Sequence, residues 1–309
     1  MHILAHRRAV ASPPDWLILL LALVLQQRLA AQGFALFEKD SIPILISSQF
    51  SFTEGPAADR AGNIFFTDQP NNRIWKYDTA GRLSVFVENA GQSNGLFFDP
   101  AGNLIACADE RNELWSISPE GKVTVLVNGF AGRMLNGPND VWVHQHKGIY
   151  FTDPYYQRDY WTRKASPLPG GEHLYYYSMK RGTVRVADTA FKKPNGVVGM
   201  SAKRLLYVSD IGNRCIFRYR LGRNGRLKKK QLFARELCDG MTIDEKGNVY
   251  LAGNGVTVYS PGGRKLAHIK VPSAWTANLC FGGANGNLLF ITASESVYVI
   301  PMKVRGVRD

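Results

Sequence analysis

Residues 135–154, LNGPNDVWVHQHKGIYFTDP, hold two short apolar runs joined by a Gly-containing turn, and they open on the polar pair Asn139-Asp140. The pattern returns five times in altered form: at Phe52 (FTEGPAADRAGNIFFTD), Ser93 (SNGLFFDPAGNLIACAD), Pro194 (PNGVVGMSAKRLLYVSD), Cys238 (CDGMTIDEKGNVYLAGN) and Ala277 (ANLCFGGANGNLLFITA). One position recurs in all six copies, as Glu54, Asn94, Asn139, Asn195, Asp239 and Asn278, at intervals of 40, 45, 56, 44 and 39 residues. That spacing is the length of four short strands with their turns, and an array of four-stranded units closes into a propeller. The sequence therefore predicts an all-β fold, a six-bladed β-propeller spanning residues 42–304 as one domain.

In the first repeat the strands read as SFTEGPAAD, GNIFFTD, RIWKYD and GRLSVFVE, with Gly62-Asn63 and Gly81-Arg82 at turns. The last repeat ends after SVYVIPMKV, one strand short of four, while residues 42–47 (IPILIS) stand unused ahead of the first repeat. Those residues are predicted to complete the last blade, which closes the ring and buries an edge that an open array would expose. Residues 32–41 read as a lead-in and 305–309 as a frayed tail. The third repeat carries an insertion, PYYQRDYWTRKASPLPGGE at 154–172, whose length marks it as functional against the alternative of a packed structural excursion.

Residues 1–31 differ in kind. Arg7 and Arg8 precede the apolar run Trp16–Leu25, and small residues Ala30 and Ala31 follow, the order of a secretory signal. The run is about half the length that spans a bilayer. The expectation is export to the periplasm or outside the cell, with signal removal and no stable membrane insertion; an uncleaved N-terminal anchor is the alternative. Net charge is +13 for the whole chain, but the basic residues are scattered and the one tight run is Lys228-Lys229-Lys230. That run reads as a solvated outer strand, and without interleaved aromatics it gives no case for nucleic acid. Cys107, Cys215, Cys238 and Cys280 lie far apart within apolar strand patterns, so free buried thiols are expected rather than a zinc cluster.

In a propeller the first strand of each blade lines the central channel, so the recurring position places six polar side chains in a ring at one mouth. Four are followed by Gly55, Gly95, Gly196 and Gly240, read as easing a tight entry into the strand. Asn-Gly and Asp-Gly are also common turn pairs; Pro138 and Pro194 ahead of the position, and Glu54 in the slot, argue against a mere turn. Convergent carboxylates and amide oxygens favour a hard divalent cation. Glu54 and Asp239 would supply charge, Asn195 and Asn139 neutral oxygens; calcium fits best, with magnesium or zinc as alternatives, though zinc normally takes His or Cys.

The residues FTEGPAAD, LNGPNDVW with IYFTDPYY, KPNGVVG with LYVSDIGN, CDGMTIDEKGNVYLAG and WTANLCFGG together resemble the gluconolactonase group of the senescence-marker/gluconolactonase (regucalcin-like) family, over roughly Phe50 to Val304. The resemblance implies hydrolysis of a sugar lactone with a divalent metal at the channel mouth. It places the metal on Glu54 of EGP, Asn195 of PNG and Asp239 of DGM, and a substrate contact on Asn139 of PND. The regucalcin pattern also has an Arg two residues before that Asn, where this chain has Gly137; Arg158 or Arg163 of the insertion are the candidates to compensate. Asn94, Tyr155 and Arg158 complete the expected substrate contacts, and Asp239 is the candidate to activate water, either directly or by orienting a metal-bound hydroxide.

Other chemistries find less support. His144 and His146 fall at the far end of an inner strand, away from the mouth; no G-x-S-x-G, no P-loop and no dinucleotide fingerprint occurs. Two readings stay open beside sugar-lactone hydrolysis. One is a non-catalytic calcium-binding propeller that docks a ligand or protein; the other is a hydrolase of different lactones or aryl esters.

Overall fold

The structure, a computed structural model, describes residues 36–38, 41–145, 147–168 and 171–307. The expected signal segment, most of the lead-in and His146 lie outside those residues. Six four-stranded antiparallel sheets are arranged in sequence order, and five of them take four consecutive strands each. The sixth joins Asn278–Gly282, Leu288–Ala293 and Ser296–Pro301 to the N-terminal strand Ile44–Ser47, which pairs with Ser296–Pro301 in antiparallel register, Ile44 opposite Val299. The six-bladed ring is thus closed by its N-terminal strand.

Burial accounts for the sequence pattern of each strand. The second strands, such as Ile64–Asp68, Leu104–Ala108 and Gly148–Asp153, are buried along their whole length, so they read as unbroken apolar runs. The outermost strands, such as Val123–Val127, are largely exposed and mix polar with apolar residues. The core lies between blades: Trp142 and Tyr150 of blade 3 share one apolar cluster with Leu206 and Tyr207 of blade 4 and Ile243 and Val249 of blade 5. Phe66 of blade 1 meets Phe290 of blade 6 at 5.3 Å, across the joint where the ring closes.

The recurrent Thr/Ser-Asp pair that ends a second strand welds these joints. The hydroxyls of Thr67, Thr152 and Ser209 donate to the carbonyls of Asn94, Asn195 and Cys238 in the next blade. The following carboxylates, Asp68, Asp153 and Asp210, accept backbone N–H groups from the loop leading into their own blade's first strand. Buried backbone donors are thereby satisfied where strand pairing cannot reach them. Each first strand then starts on the same face of the ring, here the upper face; the turns that follow first and third strands, and the start of the closing strand, Ile44, lie on the lower face.

Residues 305–307 correct the expected fray. Arg305 O accepts from Glu245 N–H, Gly306 N–H donates to Gly286 O and Val307 N–H to Ile243 O, so the end of the described chain is stitched under blades 5 and 6. All four cysteines are free and buried, in line with expectation.

Candidate functional site at the upper mouth

The six recurring residues all sit at the start of first strands and all are buried. In three blades the register breaks here, between Glu54 and Ala57, Ser93 and Leu96, and Pro194 and Val197. A bulge turns the side chain out of the ladder and toward the channel. Of the glycines that follow, Gly55 turns the chain into the strand at φ +42°, as expected, and the others serve a different purpose. A Cβ on Gly95 would stand 2.7 Å from Asn139 O, and one on Gly196 or Gly240 would overlap Asp239 O or the Asn278 side chain of the next blade. The Gly95 and Gly196 N–H groups donate instead to Asn139 O at 2.7 Å and Asp239 O at 2.8 Å. The glycine lets adjacent blades close to hydrogen-bond distance and so keeps the ring of side chains narrow.

Glu54 and Asp239 come close enough to repel. Burial pushes the Glu54 carboxyl well up, and the Asp239 charge raises it further, against opposing hydrogen bonds from the Gly55 N–H and the Asn278 amide. Burial raises Asp239 to about 6 despite hydrogen bonds from Trp275 and Asn195. The Trp275 indole Nε1–H donates to Asp239 Oδ2 at 2.7 Å, and Asn195 Nδ2 donates to the Tyr156 hydroxyl at 3.0 Å. A third carboxylate, Asp140, stands behind them: it accepts from Val197 N–H at 2.8 Å, and burial lifts it to about 7. Glu54, Asp239, Asn195 and Asn278 therefore form one connected cluster. The side chains of Asn94 and Asn139 occupy the equivalent ring positions but make no hydrogen bond within the described residues.

This donor set suits a hard cation. These buried carboxylates, two of them raised by the Asp239 charge, lack a dedicated positive partner; Arg158 alone lowers Asp239 through its charge, and its guanidinium is bonded elsewhere. Among the described residues no three His, Cys, Asp or Glu side chains group as a metal site. A set of Glu54, Asp239 and amide oxygens offers calcium-type ligands without meeting that description.

The insertion roofs one side of the mouth. Arg158 Nε donates to Asp109 Oδ2 at 2.8 Å, and the same oxygen accepts from the Tyr160 hydroxyl at 2.9 Å and Gln69 Nε2 at 3.0 Å. Asp109 can do this because it falls one residue beyond the usual strand-end position, which Ala108 takes in blade 2. Tyr155, expected at the substrate, stacks on Trp161 at 6.2 Å; it is Tyr156 that reaches Asn195. Asp109 and Trp161 fill the space above Gly137, at φ +149°, where a Cβ would overlap Asp109 Oδ1 and stand 2.6 Å from the Trp161 ring. The departure at Gly137 thus goes with the insertion: a long side chain there has no room. Arg163 stacks on Trp161 at 3.4 Å and bonds Asn112, away from the ring. His144 lies on the lower side, stacked on Trp142, with burial depressing it to about 4. Below the ring the channel holds a cavity of about 390 Å³ with a mixed polar and apolar lining, from Asp140 and Asn278 down to Val307.

The sequence profile of the SMP-30/Gluconolactonase/LRE-like region matches residues 52–295. The chain belongs to that family. Within it, the gluconolactonase of Zymomonas mobilis is 28% identical over 297 residues, covering 86% of this chain and 83% of the relative. The solved gluconolactonase of Xanthomonas campestris superposes with a TM-score of 0.81 at 26% identity, covering 88% of this chain and 92% of that one. A second solved structure, of a protein assigned to the gluconolactonases, gives 0.83 at 29% identity, over 90% and 98% of the two chains.

Trp275, Asp140 and Asp109 were not expected at the site, and Tyr156 only as one of four insertion aromatics, with Tyr155, Tyr160 and Trp161, that could stack on a sugar or aryl ring. Asp140 had a signal, being the neighbour of Asn139 in PND, and Trp275 stands three residues before Asn278. Nothing in the spacing tells Tyr156 from Tyr155.

Proposed function

We propose that this chain hydrolyses a sugar lactone at the upper mouth of the propeller channel, with a divalent cation, calcium first, held by Glu54, Asn195 and Asp239 and with Asn139 able to add an oxygen. The observation that carries the reading is the buried Glu54–Asp239 pair, two carboxylates brought together against their mutual repulsion and hydrogen-bonded on their outer sides by Gly55, Asn278 and Trp275. Kinship with named gluconolactonases supports the substrate class. When bound, the cation supplies Lewis-acid polarisation of the lactone carbonyl.

The chain's own residues do the rest. Trp275 holds Asp239 at Oδ2, which orients the carboxylate to take the proton of an attacking water. As water adds to the carbonyl carbon, the ring C–O bond breaks, and the proton taken by Asp239 goes to the departing alkoxide to give the open hydroxy acid. Asn139, whose amide makes no side-chain bond among the described residues, and the Tyr156 hydroxyl are the partners for sugar hydroxyls. Tyr156 titrates far above its usual value because of burial and the Asp239 charge, so its hydroxyl stays protonated at working pH and can donate to substrate. Arg158, bonded to Asp109, acts as a fixed positive wall.

The test is turnover of glucono-lactone by the full chain before and after chelation, with Asp239→Ala beside it. Hydrolysis that stops with chelator, returns with calcium and is lost in Asp239→Ala by about 10³-fold or more is the expected result. Tight calcium binding with no turnover of any lactone or aryl ester would instead mark a binding module.

A further inference from the structure

The lower face, opposite the candidate site, carries a concentration of positive charge that the hydrolysis does not use. Arg204, Arg220, Arg223, Arg226, Lys228 and Lys229 line a single open concavity beneath blade 4. Within the described residues none of the six pairs with Asp or Glu. Their fixed partners are backbone carbonyls: Arg204 donates to Leu221 O at 2.8 Å and Arg220 to Lys203 O at 3.1 Å, which positions the guanidinium groups and leaves their charge uncompensated. Lys230, the third member of the basic run, turns away; it pairs with Asp188 at 3.0 Å and covers the Phe217 ring.

The concentration is local. The matching turns of blade 1 balance Arg60 and Arg82 against Asp59 and Asp78, and Arg82 is paired with Asp78 at 2.7 Å. Beside blade 4, the lower turns of blade 3 add Lys147, Lys180 and Arg181, with Met179 exposed among them. Like charges gathered without counter-charges disfavour the folded state, so their clustering calls for an anionic partner.

We propose that the lower face of blades 3 and 4 docks on an anionic lipid surface. Three observations select lipid over other polyanions. The cations stand on separate turns of two blades that share one face, which suits a plane of headgroups. No aromatic side chain lines the concavity, so there is no platform to stack a base. The chain also enters the ring on this same face, at Ile44, with Ile42, Ile44 and Leu45 exposed, so that an uncleaved N-terminus would bring the apolar run of residues 16–25 to this side. In that uncleaved form an apolar segment and a basic patch make the two-signal arrangement of stable attachment, and in the cleaved form the basic face acts alone. Docked in this way, the protein presents its upper mouth to the solvent. The proposal does not depend on the reaction at that mouth.

The test is co-sedimentation of the full chain with vesicles of phosphatidylcholine alone and with vesicles in which about a third of the lipid is phosphatidylglycerol. The apolar segment contributes equally to both, so the difference between them reports the basic face. The expected result is tighter binding to the anionic vesicles that weakens with salt, and an Arg223→Glu, Arg226→Glu, Lys228→Glu variant that loses about 100-fold or more of that increment. The three side chains are exposed, and an unchanged unfolding midpoint and lactone turnover confirm the fold; the corresponding Gln variant serves if the triple Glu chain does not fold. Equal binding to both vesicles, or an increment that survives in the variant, overturns the proposal. So does retention on heparin without any phosphatidylglycerol increment, which points to a soluble polyanion.

Discussion

Glu54 and Asp239 each give up hydration on burial and the Asp239 charge raises Glu54 further, so the cation-free protein holds an unfavourable pair that a cation bound there would relieve. That sets the sign of one prediction. Glu54→Gln removes one of the two charges while keeping the shape, so the calcium-free variant is as stable as the parent or more so. At calcium a hundredfold above its dissociation constant the parent's unfolding midpoint rises by about 5–10 °C, and the Gln variant shows less than half of that rise. Thermal unfolding with and without calcium measures both halves; a variant that destabilises the calcium-free protein and keeps the full rise contradicts the assignment. At this scale the ring positions were legible because a position that repeats six times announces itself. Trp275 and Tyr156 were not, since each reaches the site by side-chain length from a loop, and reach leaves no period in a sequence.

The insertion between the second and third strands of blade 3 is the element that gives this mouth its own character. Tyr160 and Arg158 are tied to Asp109, and Trp161 lies over Gly137, so one glycine and one loop depend on each other. Gly137→Ala meets a positive φ, the Asp109 carboxylate and the Trp161 ring and destabilises the fold by about 2–3 kcal/mol, read as a lower unfolding midpoint. Adding Trp161→Ala to it recovers part of the loss by opening that space; a double variant whose losses simply add contradicts the coupling. The sequence showed that the insertion existed and that Gly137 departed from the regucalcin pattern. It could not show that the two were connected, nor that Tyr156 and not Tyr155 points at Asn195, because adjacent residues on an irregular loop carry no face.

For the whole molecule, the architecture followed from the repeat, and even the donated closing strand was legible as one strand missing at one end and one spare at the other. The stitched tail at 305–307 escaped, as its bonds run to turns of blades 5 and 6 that no local pattern connects. Closure makes a further prediction. A chain beginning at residue 50 leaves Ser296–Pro301 as an open edge and separates Phe50 from its upstream support. Its unfolding midpoint falls by about 10 °C or more and it associates through the freed edge, measured by calorimetry and light scattering. A monomer of unchanged midpoint contradicts the closure.

All of this turns on whether blades 1, 4 and 5 present their carboxylate and amide oxygens to one ion. The most direct measurement is difference density in a crystal grown with calcium. The account predicts a single ion at the upper mouth with oxygens of Glu54, Asn195 and Asp239 at about 2.3–2.6 Å. An ion bound elsewhere, or a mouth in which those three side chains share no ion at saturating calcium, would contradict it.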